Sequence, residues 1–303
     1  MLTLALAGWL YWAHESGLAR SGSRPLSSAN AHQPETKQTE RTAKPQIIFW
    51  AWERPEDLRF LRGGQAGVAF LAKTIFLENS DRAATSGNGF TVRPRLQPLR
   101  TTPGTPLIAV VRIETSRNRA PAEGPPRVHA VGLESVPDTS AMRDELASEI
   151  AATQSVPSVA AVQIDFDAPL SERAFYSGLL REVRRKLRAG LQLSITALAS
   201  WCIGDRWLEK LPAGTIDEAV PMLFRMGRDA AQVVVFMRRA EEFPVASCRS
   251  SLGLSTDEQL SRAVLDGTMF SPAMRIEGRR VYVFSPKAWT AEQAGIVLKE
   301  LQP

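Results

Sequence analysis

Apolar and polar positions follow two rhythms along this chain, and the two alternate. Short runs of apolar and β-branched residues read as strands. Between them, apolar residues recur three and four apart, as they do on one face of a helix. The strand readings are residues 46–52, a stretch within 66–77, then 107–114, 162–167, 191–198, 218–224, 251–255 and 280–285. Helices are expected to start at 55–61 and to cover 140–153, 170–188 and 291–301. The apolar stripes Met142, Leu146, Ile150 and Phe175, Leu179, Val183, Leu187 carry the second and third of these. Ser86-Gly87-Asn88-Gly89 is turn chemistry, so the second strand is expected to continue into a hairpin with 89–94.

Eight strand signals interleaved with helix signals predict parallel strands joined by helices. Nearly continuous apolar runs suit strands that are covered on both faces. The expected fold is α/β: a single-domain (β/α)8 TIM-type barrel over residues 45–303. The rival is an open doubly wound sheet, but no GxGxxG phosphate loop follows any strand. Residues 1–14 are almost wholly apolar and resemble a signal-peptide core or a short anchor. Residues 15–44 are polar and rich in Ser, Pro, Gln, Thr and Ala, as flexible disordered linkers are.

Composition changes this picture little. Hydrophobic residues make up 44% and charged residues 23% of 303, an ordinary globular balance. The net charge of +5 is spread out, and the longest basic run, Arg184-Arg185-Lys186, reads as a solvated helix face. No aromatic-studded basic stretch points to nucleic acid, so no nucleic-acid partner is expected. His14, His32 and His129 do not stand at ligand spacing, so no metal is expected, and the carboxylate acid/base chemistry read below calls for no organic cofactor. Cys202 would lie at the top of a barrel and Cys248 near its bottom. Bridged α-carbons lie within about 7 Å, so no disulfide is expected between them.

Candidate chemistry gathers at the strand ends, where barrels of this kind place their sites. In Val162-Gln163-Ile164-Asp165-Phe166-Asp167, strand alternation puts Gln163, Asp165 and Asp167 on one face and Ile164 and Phe166 on the other. Carboxylates cost free energy to bury unless they are paired. Asp165, Asp167 and Glu114 are therefore the candidate catalytic acids. Trp201, Arg225, Glu53, Trp52 and Arg112 are the candidate substrate-binding residues. Indole faces stack on sugar rings, guanidinium groups hold carboxylates, and acid pairs transfer protons at glycosidic oxygens. Each has a structural alternative: a buried Arg112–Asp165 ion pair, a turn cap at Glu53, a core plug at Trp201.

Three segments carry a family resemblance: Gln163-Ile164-Asp165-Phe166-Asp167, Ser194-Ile195-Thr196-Ala197-Leu198-Ala199-Ser200-Trp201-Cys202 and Val220-Pro221-Met222-Leu223-Phe224-Arg225-Met226-Gly227. Together they resemble the bacterial family known as domain of unknown function 3142, from about Pro45 to the C-terminus. The resemblance implies a glycoside hydrolase-like TIM barrel. More distantly, Asp165-Phe166-Asp167 is similar to the D-x-D-x-E motif of chitinase-type glycoside hydrolases, with Pro169 where the proton-donating glutamate would stand. Two readings stay open. One is an enzyme acting on an envelope or extracellular polysaccharide by carboxylate general acid/base chemistry. The other is a non-catalytic barrel that binds a glycan or an envelope partner. The expected partner is a polysaccharide or oligosaccharide, and the expected location is the periplasm or cell envelope, tethered to the membrane through the N-terminus.

Overall fold

A computed structural model describes residues 46–62, 64, 66–78, 89–115, 138–240, 242–265, 268 and 276–301. The expected N-terminal segment, the linker and residues 86–88 of the turn lie outside the described residues. The chain begins with β1 (Gln46–Ala51), the two-residue β2 (Glu56–Asp57) and the long β3 (Ala66–Leu77). Next, β4 (Phe90–Pro94) runs antiparallel to the second half of β3, β5 (Leu99–Arg100) pairs with β2, and β6 (Leu107–Thr115) is parallel to β3. Strands and helices then alternate: α1 (Ser140–Ala151), β7 (Val159–Asp165), α2 (Arg173–Lys186), β8 (Gln192–Leu198) and the short α3 (Ala199–Ile203). The remainder is β9 (Glu218–Met222), α4 (Ala230–Arg239), β10 (Ser251–Ser255), α5 (Gln259–Leu265), β11 (Arg280–Phe284) and α6 (Ala291–Leu301).

Eight of these strands are parallel and close into a ring. The pairing runs β1, β3, β6, β7, β8, β9, β10, β11, and β1 then pairs with both β11 and β3. An open sheet would end in two edge strands, whereas here the β1–β3 pairing closes the cycle, so the pairing itself decides for the (β/α)8 barrel. Strand β3 is long enough to serve twice: Ala66–Phe70 pairs with β1, and β4 covers Lys73–Leu77 further up.

The main core lies between the strands and the outer helices. Met142, Leu146 and Ile150 of α1 and Phe175, Leu179 and Val183 of α2 are buried in it. Thr139 caps α1 by accepting the Met142 N–H at 3.1 Å. The basic run at the end of α2 is more than a solvated face. Arg184 is half-buried, donates to the Thr215 and Leu191 carbonyls at 3.1 and 3.0 Å, and pairs with Asp217, tying α2 to the β8–β9 region.

The helix expected at 55–61 is absent, and β2 stands there instead. The Glu56 and Leu58 N–H groups donate to the Pro98 and Arg100 carbonyls at 3.0 and 2.7 Å. The buried Glu56 carboxylate takes Arg54 at 2.7 Å and the Trp289 N–H at 2.9 Å. These long-range bonds use the backbone groups that a helix would have needed.

The cysteine expectation is also corrected. Cys202 and Cys248 form a disulfide, with α-carbons 5.9 Å apart. Strand stagger is the reason. Leu198 at the end of β8 is level with Met222 at the end of β9, and Met222 is level with Gly253 in the middle of β10. The start of β10 is thereby carried up toward the end of β8, as the shear of a closed barrel requires. The turn before β10 carries Cys248 up with it to α3. The bond closes a separation of 46 residues, which the chain-entropy account values at about 4 kcal/mol. The double variant Cys202→Ala/Cys248→Ala should melt roughly 10 °C below the parent. An unchanged melting temperature would show that the bond does not constrain the fold.

Candidate functional site

The site is organised from inside the barrel. Gln163 is fully buried and points inward from β7. Its carbonyl accepts the Trp50 indole N–H at 2.9 Å, and its amide donates to Ser194 at 3.1 Å. Ser194 and Tyr282 donate to Glu218 at 2.8 and 2.7 Å, and Arg280 adds an ion pair at 3.2 Å. Three partners thus satisfy one buried carboxylate, which offsets its desolvation. Burial and the Glu218 charge push the Tyr282 hydroxyl far up, so it stays a donor. Just past the end of β7, Phe166 meets Tyr176 of α2 edge to face at 5.1 Å.

Trp50 forms the floor of the cleft above this layer. Its ring lies where a side chain at position 253 would otherwise stand. A Cβ on Gly253 would fall 3.1 Å from Trp50 Cη2, 3.3 Å from the Pro221 carbonyl and 3.4 Å from Met222 Cα. Phe224 lies 6.0 Å from Trp50 and stacks on Phe284 at 5.7 Å with the planes 3° apart, and Trp52 meets Phe284 edge-on at 6.3 Å. The cleft over these rings has a volume of about 270 Å³.

Both aspartates of the β7 motif line this cleft, as do Arg112, Trp52 and Arg225. Asp165 accepts the Thr196 hydroxyl at 2.7 Å. Asp167, two residues further along and beyond the end of β7, reaches water at the rim. Desolvation by the cleft walls raises its pKa from 3.8 to about 6; the Asp165 charge adds to the shift and Arg112 opposes it. Arg112 and Asp165 are in register on adjacent strands, but the ion pair weighed as their structural alternative does not form. Arg112 pairs with Glu114 at 2.8 Å and lies over the Trp52 ring at 5.5 Å.

Trp201, expected as a sugar platform, needs correcting. The chain leaves β8 directly into α3, which turns Trp201 into the outer core at 1% exposure. There it packs on Trp207 at 5.1 Å, with Arg173 over its ring at 5.7 Å. Glu114 and Glu53 are not among the cleft-lining residues; Glu53 accepts the Leu96 N–H at 3.2 Å. Thr196 and Asp229 do line it and were missed. The Ser194/Thr196 alternation on β8 signals the first, whereas Asp229 follows β9 in a 3-10 turn that leaves no periodic trace. Among the described residues, no three His, Cys, Asp or Glu side chains converge as metal ligands do.

Residues 123–223 match the family described as Domain of unknown function (DUF3142). The match takes in the β7 and β8 segments quoted above and ends within the third, a shorter span than the resemblance from Pro45 onward. No curated protein matches the chain. Among solved structures, the chain is similar to an endo-β-N-acetylglucosaminidase from Cordyceps militaris in apo form. That likeness has a TM-score of 0.44 at 10% identity, over 86% of this chain and 92% of that one. A doubly substituted mutant of the Cordyceps enzyme, in complex with fucosyl-N-acetylglucosamine-Asn, gives 0.45 at 8% identity over the same shares. The chitinase domain of the spore coat protein CotE from Clostridium difficile gives 0.34 at 13% identity, over 66% of this chain and 53% of that one.

Two outcomes follow from the geometry. Gly253→Ala should cost about 1–3 kcal/mol in denaturant unfolding, because two of the three atoms it meets are backbone. A cost near zero would mean that Trp50 is not confined by that gap. The raised pKa of Asp167 makes stability pH-dependent. Between pH 3.8 and about 6 the folded protein holds a proton that the unfolded chain releases, so stability falls as pH rises through that window. Asp167→Asn should therefore melt increasingly above the parent across the window, with a constant margin at higher pH. A margin that does not change with pH would contradict the raised pKa.

Proposed function

We propose that the cleft cleaves a glycosidic bond in an envelope or extracellular polysaccharide, with Asp167 as the proton donor. One observation carries the reading. Two carboxyls stand side by side at the end of β7 over an aromatic floor, and Asp167 holds its proton up to about pH 6. A carboxyl tuned toward neutrality beside a second, differently surrounded one is the pattern of acid catalysis. The aromatic floor suits the C–H faces of sugar rings.

Asp165 ends β7 and Asp167 follows it by two residues, so both approach a substrate from the β7 side. Asp165 and Asp167 therefore cannot flank a scissile bond in the way that an acid and its opposing base do. Asp229, which lines the cleft from the loop after β9, serves as that base. Asp167 gives its proton to the departing glycosidic oxygen as the C1–O bond breaks. A water adds to C1 and loses its proton to Asp229, and the Asp165 carboxylate stabilises positive charge at the anomeric centre. Arg112 and Trp52 hold the sugar from the β6 and β1 side.

The Cys202–Cys248 bond supports a working place outside the reducing cytosol, where envelope and extracellular polysaccharides are met. The apolar run at residues 1–14 suits an exported or tethered chain. The second reading is a glycan-binding barrel without turnover. It is favoured by Pro169, which stands where a chitinase-like motif has its glutamate, and by Glu114, which is engaged by Arg112 at 2.8 Å.

A polysaccharide-digestion screen separates the two. Asp167→Asn should lose about 10²–10⁴-fold in rate on natural glycans. It should lose far less on aryl glycosides, whose leaving groups need no proton. Equal loss on both substrate types would remove Asp167 as the acid, and binding without product in the parent would favour the second reading.

A further inference from the structure

We propose that the cleft selects a sugar bearing a carboxylate and that Arg225 is the residue that reads it. The inference rests on the glycan reading above and names its substrate class. Arg225 follows β9 with φ +51°; among the described residues, Ser158 is the other non-glycine with positive φ. A side chain there crowds its own backbone, so an arginine persists at such a position only where its surroundings hold it. Two contacts hold it here. The Glu258 carboxylate accepts the Arg225 N–H at 3.2 Å, and the guanidinium lies over the Phe284 ring, 5.0 Å from its centre. The left-handed backbone turns the charge away from β9 toward β11. In the ring of eight, β11 stands four strands from β7 on either path. The guanidinium therefore faces the Asp165–Asp167 wall from the opposite side of the mouth, with the aromatic floor between them.

The two guanidinium groups that line the cleft differ in how they are engaged. Arg112 is paired with Glu114 at hydrogen-bond distance, 2.8 Å. Arg225 has Asp257 at 3.9 Å, beyond hydrogen-bond distance, and its side chain is 57% exposed. Asp257 is itself drawn toward the Ser255 hydroxyl. The planar N–H fork of Arg225 is thus open to a planar oxyanion, which it can bind through two parallel hydrogen bonds. A neutral sugar would need only the aromatic faces. A strained, loosely paired arginine seated on one of those faces adds affinity for a ring that carries a carboxylate, its C–H face on Phe224 and Phe284 and its charge at the fork.

The test uses the Asp167→Asn protein, so that binding is read without turnover. Retention is measured on an array of uronate oligosaccharides, the same oligosaccharides after carboxyl reduction, and neutral oligosaccharides bearing sulfate esters. The uronate forms should be retained roughly tenfold or more over their reduced counterparts. The ratio should fall to near one when Arg225→Gln or Arg225→Gly is added. Arg225→Gly relieves the backbone, so its melting temperature should equal or exceed the parent's, which separates loss of recognition from loss of fold. Three results would overturn the inference while leaving the glycan reading in place: equal retention of charged and reduced forms, a preference that survives Arg225→Gly, or a preference for sulfate esters over carboxylates. Retention of no glycan at all would overturn the glycan reading and the inference with it.

Discussion

The hydrogen bond from the Trp50 indole to the buried Gln163 amide fixes the phase of β7, and the site depends on that phase. Strand side chains alternate with a strict period of two, so once Gln163 faces the barrel interior Asp165 must follow it. A slip of one residue would send Ile164 and Phe166 inward and put both carboxylates against the helix layer. The slip is opposed from both faces. Inside, Gln163 is bonded on both sides, to Trp50 and to Ser194. Outside, Phe166 fills the space against Tyr176. The bond also acts on Trp50, because it holds the indole in place beside the space that Gly253 leaves open. One buried contact therefore positions both the acid wall and the aromatic floor.

Electrostatics at the mouth follow from which partners are already engaged. A guanidinium that paired directly with Asp165 or Asp167 would oppose the desolvation and the like-charge effect that together lift Asp167. Arg112 is the nearest candidate, and its ion pair runs to Glu114 instead. Glu114 therefore has a role that its place near the strand end does not announce: it draws Arg112 off the acid pair while leaving its flat face over Trp52. The acids keep a hydroxyl donor, Thr196, and each other. The outcome is a cleft that is acidic on the β7 side, aromatic below and cationic at Arg225.

How far the sequence revealed this depended on the range of the interaction. The inward face of β7 was legible because a period of two is local. The barrel was legible because eight apolar runs with helical spacers leave few ways to bury both faces. Trp201 was not, because nothing in Leu198-Ala199-Ser200-Trp201 marks the switch from strand to helix that turns the indole into the core. Helix α4 was missed because Val233, Val234 and Val235 stand in a row and read as neither rhythm. The disulfide was hidden because stagger accumulates from strand to strand around the ring, and no single segment records it. Asp229 and the left-handed Arg225 belong to turns, where geometry is set by long-range partners such as Glu258.

The central claim is that the alternation of β7, locked by Gln163, holds two carboxyls together in a cleft and lifts one of them toward neutrality. Carboxyl-carbon NMR titration of aspartate-labelled protein tests this directly, with Asp167 assigned by its loss in Asp167→Asn. The account predicts that Asp167 titrates at about 6 and that Asp165→Asn moves it down. A value near 3.8, or one indifferent to Asp165, would contradict the account.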